Sequence, residues 1–419
     1  MNAIATEPDC GQGGLDFEEA RRRVLALATE ALPPERVPVA GCVGRVLAGD
    51  VAALLDLPRF DQSAMDGYAV RAADVTPGAW LPVTGRTAAG EAGGRLAPGG
   101  AHRILTGAPL PAGADAVIAQ ERARRAFDAA GGHGVVFAVA PPPGTNLRRR
   151  GEDTRAGDTL VAAGTVLDWR HVAVLAAQGI GEVQVLRRPR VALLSSGREL
   201  RGSGERLAEG QVHDSNLPML AALLPAWGAQ TRRLPVAADS VEAVRAALGE
   251  AADCDVVVTT AGISVGDEDH VRDAVLALGG SLCVMKVAMK PGKPLAAGRL
   301  GDALFLGLPG NPQAALAGAV GFLRPLLARL AGAAPPAPLR ARADFNLSRK
   351  PGRTEFLPVR LVQRGAIVWA SRAGPEGSGR LSPLLRAHGL AILAPSAAEV
   401  RRGALLDVHP FLAAAIETE

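Results

Sequence analysis

The chain has 419 residues with 48% hydrophobic and 21% charged, a balance that excludes intrinsic disorder and allows two or more packed cores. Aromatic residues make up only 3%, too few for base-stacking modules, and the net charge of +4 forms no basic tail or stripe, so no nucleic-acid partner is expected. No apolar run reaches the ~18 residues of a membrane span and no signal-peptide pattern is present, so the expected setting is cytoplasmic with no membrane partner.

Residues 16–32 read as an amphipathic helix, with Phe17, Ala20, Val24, Leu27, Ala28 and Leu32 at helical spacing and Pro33-Pro34 as its stop. From 58 to 147 short apolar stretches alternate with Gly and Pro, which predicts a small β domain. Residues 148–187 return to turns plus a helix near 168–178. They are expected to join residues 1–57 as one linking domain, with the β domain as an insertion. Between 188 and 332, apolar runs at 191–195, 256–260 and 303–308 alternate with helical stretches at 215–228, 240–251, 268–279 and 312–331. That order predicts an α/β domain whose parallel sheet is covered on both faces, with ligands beyond the carboxyl ends of its strands. Residues 331–338 read as a linker and 338–419 as a C-terminal β domain.

The four cysteines (Cys10, Cys42, Cys254, Cys283) show no C-x-x-C spacing, so neither a disulfide scaffold nor a zinc knuckle is indicated. Lysine is scarce: Lys286, Lys290, Lys293 and Lys350 stand against 42 arginines. Three of the four fall within eight residues, which favours a site that needs a compact ammonium rather than a planar guanidinium.

Several segments carry chemistry. Thr259 to His270 follows a strand and opens a helix. Its Gly262, Ser264 and Gly266 suit backbone approach to a phosphate, and Asp267-Glu268-Asp269 either bridge through a hard cation or complement the helix dipole. Leu308-Pro-Gly-Asn-Pro312 ends a strand, with Asn311 a natural N-cap and Pro312 a natural first helical residue. Glu199, in Ser195-Ser-Gly-Arg-Glu-Leu200, is a loop acid or a metal or base residue at the same sheet edge. In His213-Asp-Ser-Asn216, Ser215 or Asn216 is expected to cap the next helix rather than to act in hydrolysis. Asp61 and Asp66 flank the turn at Gly67, Thr106 brings a free hydroxyl, and Arg148-Arg-Arg-Gly-Glu-Asp153 is a solvated network or an oxyanion reader.

In this order the segments resemble the MoeA family of molybdopterin molybdenumtransferases, which includes the gephyrin E domain. The matching pieces are D-x-S-A-M-D-G-Y-A at 61–69, T-G-A-P at 106–109, R-R-R-G-E-D at 148–153, S-S-G-x-E-L at 195–200, S-V-G-D at 264–267, K-P-G-K-P at 290–294 and L-P-G-N-P at 308–312. The resemblance implies an elongated, multidomain α/β plus β protomer, with an inserted small β domain, a molybdopterin-binding α/β domain and a C-terminal β domain, paired as a homodimer. It implies insertion of molybdate into adenylylated molybdopterin with release of AMP and help from Mg²⁺, and transient contact with the adenylyltransferase and with molybdoenzymes.

Carried over residue by residue, Asp66, Thr106, Glu199, Asp239 and Asp269 would be catalytic, with Asp66, Glu199 and Asp269 at the metal. Arg148, Asp153, Gly262, Ser264, Gly266, Lys290, Lys293, Pro294, Gly310, Asn311, Arg353 and Ser378 would bind substrate. The sequence departs from the pattern at Ala261, where glycine is usual, at Arg198, at Gln313-Ala314-Ala315, which lacks a hydroxyl, and at Gly379. The alternatives are the adenylyltransferase of the preceding step, which shares only the α/β domain, and a non-catalytic scaffold.

Overall fold

A computed structural model describes residues 14–237, 240–263, 270–412 and 416–418. The α/β region holds a six-stranded sheet in the order Gln230–Arg233, Arg190–Ser195, Val256–Thr260, Ala303–Leu308, Pro294–Leu300, Ser281–Lys286. The first four strands are parallel, as expected for the runs at 191–195, 256–260 and 303–308, whereas two further strands join antiparallel, so the sheet as a whole is mixed. The reason is local: Pro294–Leu300 turns straight back into Ala303–Leu308 through Gly301, and so short a connection can only make an antiparallel pair.

Alternate residues of the parallel strands enter opposite cores. Val191, Leu193, Val256, Val258, Leu304 and Leu306 face one side, while Ala192, Leu194, Val257 and Phe305 face the other. The second face is covered by α4 (Val241–Gly249) and α5 (His270–Ala277). On the first lie α1 (Phe17–Ala26), α3 (Asn216–Leu223), α6 (Pro312–Gly318) and α7 (Arg324–Leu330); α2 (Trp169–Ala177) belongs to a separate small core with Val39, Leu47 and Val185.

Helix α1 is capped by Asp16, whose carboxylate accepts from the Glu18 and Glu19 amides, and it ends six residues before the expected stop. Its last turn tightens through bonds from the Leu27 and Ala28 amides to Val24 and Leu25, and guanidiniums of Arg299 and Arg329 take the carbonyls of Leu27 and Ala28. The expected continuous helix at 312–331 is likewise broken, into α6, a π-turn over Ala319–Leu323, and α7. Pro325 has no N–H to give and crowds the carbonyl four residues back, so the ladder widens just ahead of it. Phe17 meets Phe322 and Phe356 edge-on, with centroids 5.2 and 5.3 Å apart, and so joins α1, the π-turn and the C-terminal region.

Residues 67–137 form a second six-stranded sheet, ordered Ala116–Ala119, Gly67–Val70, Ala101–Ile104, Trp80–Thr87, His133–Phe137, Ala123–Phe127. In the C-terminal region Thr354–Arg364 pairs with both Ile367–Arg372 and Gly389–Leu393, and Leu339–Ala343 and Leu405–Pro410 complete the ring, so five strands close on themselves around Leu357, Val359, Ala391 and Val408. One outside strand joins it: Met289–Lys290 runs parallel to Thr354–Glu355. No helix among the described residues is long and apolar enough to cross a membrane.

Candidate active site

The carboxyl ends of the central strands open into a cleft of ≈ 270 Å³ lined by Gly262, Pro294, Gly310, Asn311 and Ser378 among others. Two turns face each other there. Ala261 donates its amide to the Leu308 carbonyl at 3.0 Å, and a Cβ placed on Gly310 would sit 3.2 Å from the Ala261 Cβ. Gly262 has φ +68°, and a Cβ there would lie 2.7 Å from Val271, so the turn needs glycine. Ala261 adopts φ 70° without that freedom, which stores strain where the family pattern has glycine. Pro312 is the first residue of α6, as expected; Asn311 sits at the N-cap but its side chain makes no capping bond.

A buried polar network braces these strand ends. Ser195 donates its hydroxyl to Asp214 Oδ2 at 2.8 Å and lies 2.7 Å from the Thr260 hydroxyl. Ser215 holds the N-cap position of α3, as expected, but its side chain makes no capping bond; Asp214 supplies it instead, its Oδ1 accepting from the Asn216 and Leu217 amides at 2.9 and 3.2 Å. The Asn216 side chain is turned to a different task, donating Nδ2 to the Gly310 carbonyl at 2.6 Å. These roles were not legible, because spacing places a polar cluster before a helix but does not say which member turns back.

Lys290 and Arg353 line a neighbouring cleft of ≈ 240 Å³ together with Arg349, Lys350, Glu355 and Glu376. Pairing of Met289–Lys290 with Thr354–Glu355 sets the Lys290 ammonium 2.9 Å from Glu355 and 3.3 Å from Glu376. The bond to Glu355 raises the Lys290 pKa above its ordinary value. Burial alone would raise the Glu355 carboxyl, but Lys290 and Arg349 outweigh it and hold it low. Lys293 is exposed. The two clefts draw on the same stretches of chain: Lys290 lies four residues from Pro294, and Glu376 two from Ser378. Gln313, which takes the place of a hydroxyl in the pattern, anchors the second segment: its amide donates to the Ser378 carbonyl and its Nε2 to that of Arg380.

The remaining candidates lie elsewhere in the chain. Asp66 Oδ1 accepts from both the amide and the hydroxyl of Thr106 at 2.7 Å, and the amide first, then the hydroxyl, lowers the Asp66 pKa. Arg148 and Asp153 line a third cleft, of ≈ 610 Å³, with Gln62 and Glu152. Their neighbours Arg149 and Arg150 pair with Asp61 and Asp56 at 2.6 and 2.5 Å, a surface network. Glu199 is exposed just beyond the Arg190–Ser195 strand, folded back over Gly197, where a Cβ would lie 2.4 Å from its Oε2. Asp239, Ser264, Gly266 and Asp269 lie outside the described residues. Among the described residues no three His, Cys, Asp or Glu side chains gather as a cation site.

Glycine turns at the carboxyl edge of an α/β sheet, beside a lysine- and arginine-walled cleft, define a class of protein equipped for an anionic, phosphate-bearing ligand. Family models place it more closely: the MoeA N-terminal region (domains I and II) matches residues 15–179, a probable molybdopterin binding domain matches 192–329, and the MoeA C-terminal region (domain IV) matches 340–411. The chain belongs to the MoeA family. A molybdopterin molybdenumtransferase of Haemophilus influenzae is 34% identical over 95% of this chain and 98% of its own length. Molybdopterin molybdenumtransferase 2 of Mycobacterium tuberculosis is 38% identical over 93% and 98%. A crystal structure of a molybdopterin biosynthesis MoeA protein from Pyrococcus horikoshii superposes with a TM-score of 0.81 at 30% identity, covering 95% of this chain and 99% of that one.

Proposed function

We propose that this chain is a molybdopterin molybdenumtransferase, which inserts molybdate into adenylylated molybdopterin and releases AMP. The observation that carries the reading is the convergence of Gly262, Pro294, Gly310, Asn311 and Ser378, scattered over more than a hundred residues, on one cleft, with Lys290 and Arg353 in a second cleft built from adjoining stretches of chain. Relatives of near-equal length with that printed activity support it. Amides and glycines suit the pterin's phosphates, and ammonium and guanidinium groups suit a tetrahedral dianion.

The donor chemistry of Asp66 and Glu199 fits Mg²⁺: both are carboxylates, the hard oxygen donors that ion prefers, and Gly197 leaves Glu199 room to turn. In this reading Asp66, Glu199 and Asp269 would hold the ion, with Asp239 a further catalytic carboxylate and Asp153 a substrate-binding one. Bound there, Mg²⁺ would neutralise charge on the phosphates of the substrate. Thr106 fixes one oxygen of Asp66 and so sets which oxygen can meet a ligand. Lys293 and Lys290 bind molybdate, Arg148 and Arg353 the remaining phosphate charge, and Ser264 and Gly266 the pterin substrate.

A homodimer is part of the reading. Support comes from the apolar surface around α2, where Trp169 is 73% exposed and Val43, Val166 and Val174 are also open to solvent. A cytoplasmic setting and passing contact with the adenylyltransferase and with molybdoenzymes follow from the same biosynthetic role. The test is mass spectrometry of small molecules after incubation with adenylylated molybdopterin, molybdate and Mg²⁺. AMP and a molybdenum-bearing pterin are expected, whereas intact substrate after incubation overturns the assignment.

A further inference from the structure

The fourth lysine had no assigned place. In a chain that uses arginine 42 times, Lys350 is the one lysine remote in sequence from the 286–293 group, yet it lines the same cleft as Lys290 and Arg353. The carboxylates facing Lys290 there are of two kinds. Glu355 is 6% exposed and pinned by Arg349 at 2.7 Å, a guanidinium that is itself 4% exposed and also donates to the carbonyls of Ala394 and Ala397. It is a fixed counter-ion. Glu376 is 45% exposed, approaches Lys290 only to 3.3 Å, and shares its other oxygen with Arg372 at 2.9 Å. Ion pairs this exposed contribute little and are readily exchanged.

With Glu376 in place the cleft carries Lys290, Arg349, Lys350 and Arg353 against two carboxylates; with Glu376 withdrawn, those four cations face Glu355 alone. We propose that Glu376 stands in for the ligand of this cleft: a tetrahedral oxyanion displaces its carboxylate from Lys290 and takes Lys350 as a further cation. The proposal rests on the molybdenumtransferase reading for the identity of that oxyanion, which is free molybdate or the phosphate of the nucleotide. Ser378, which lines the neighbouring cleft, is two residues from Glu376 and is held by its carbonyl to the Gln313 amide at 3.0 Å.

Equilibrium dialysis of the full chain against molybdate alone, and separately against AMP alone, tests this without requiring turnover. Glu376→Gln keeps the shape and removes the competing charge, so it should tighten binding by up to about fivefold. Lys350→Ala should weaken it on the order of tenfold, as loss of a charged hydrogen bond does. In a Lys290→Gln background the gain from Glu376→Gln should vanish, because the competitor then has nothing to compete for. A gain in either arm supports the proposal and names the source of the oxyanion. No gain in both arms, or a gain that persists without Lys290, overturns it. AMP release from adenylylated molybdopterin by the unaltered chain, measured alongside, judges the molybdenumtransferase reading separately, since failure there leaves the dialysis result standing.

Discussion

Asn216 Nδ2 donates to the carbonyl of Gly310 at 2.6 Å, and this one bond ties the first turn of α3 to the proline-flanked loop that walls the candidate site. Asn311, next in the loop, spends no side-chain bond on capping α6. Asn216→Ala should destabilise the chain by about 1–2 kcal/mol, the size of a part-buried hydrogen bond with its stranded carbonyl. It should also raise KM for the pterin substrate more than it lowers kcat, because the residue places a binding loop rather than a reacting group. Urea unfolding and steady-state kinetics on the same preparation check both halves.

Ala261 is the second point of leverage. Its φ of 70° is a conformation that glycine adopts freely and alanine does not. Ala261→Gly should stabilise the chain by roughly 0.5–1 kcal/mol, the relief of left-handed strain less the extra freedom given to the unfolded chain. The substitution also removes the methyl that faces Gly310, so the cleft should widen. A rise in melting temperature with weaker substrate binding is the expected pair of results.

How far the sequence reached follows from these residues. Strands such as Val256–Thr260 and Ala303–Leu308 were legible because parallel strands buried on both faces are continuous apolar runs between glycine turns. Gly262 and Gly310 were legible in glycine turns and Ser378 only through the family resemblance, and the fold brings all three to one cleft. The antiparallel half of the sheet was not, because Ser281–Lys286 and Pro294–Leu300 differ from parallel strands in connection length rather than composition. Nor were the acids that hold Lys290: Glu355 and Glu376 lie in an unremarkable C-terminal stretch, and only the parallel pairing of Met289–Lys290 with Thr354–Glu355 brings the ion pair into being.

That ion pair gives a pH signature. Glu355 has its carboxyl held below the ordinary 4.5, so its contribution is full above about pH 4.5 and is lost as the pH falls through the lower folded value. Lys290 is raised above 10.5, so its contribution is full below that and is lost as the pH rises through the higher folded value. Both are therefore intact across neutral pH. Glu355→Gln leaves the nearly buried Arg349 unpaired and should destabilise the chain by about 3 kcal/mol there. The difference from the unaltered chain should shrink below about pH 4.5, where protonation makes Glu355 resemble glutamine. Denaturant midpoints measured at several pH values give the profile directly.

Asp66 and Thr106 are locked to each other in loops of the inserted sheet, while Lys290 belongs to the strand that joins the C-terminal ring. Asp66 lies in none of the three clefts, and among the described residues no third metal-ligating side chain joins it. A carboxylate with the catalytic role proposed for Asp66, outside the clefts of its own chain, is accounted for if it serves the partner's clefts in a two-fold dimer. An Asp66→Ala chain and a Lys290→Ala chain should then each be inactive alone. Mixed and allowed to exchange subunits, they should recover activity, because one of the two composite sites in each heterodimer has both halves intact. With statistical exchange about half of the molecules are heterodimers with one good site, so recovery should approach roughly one quarter of the unaltered activity. Native mass spectrometry establishes that heterodimers have formed. If they have, and no AMP is released, each site is built within a single chain.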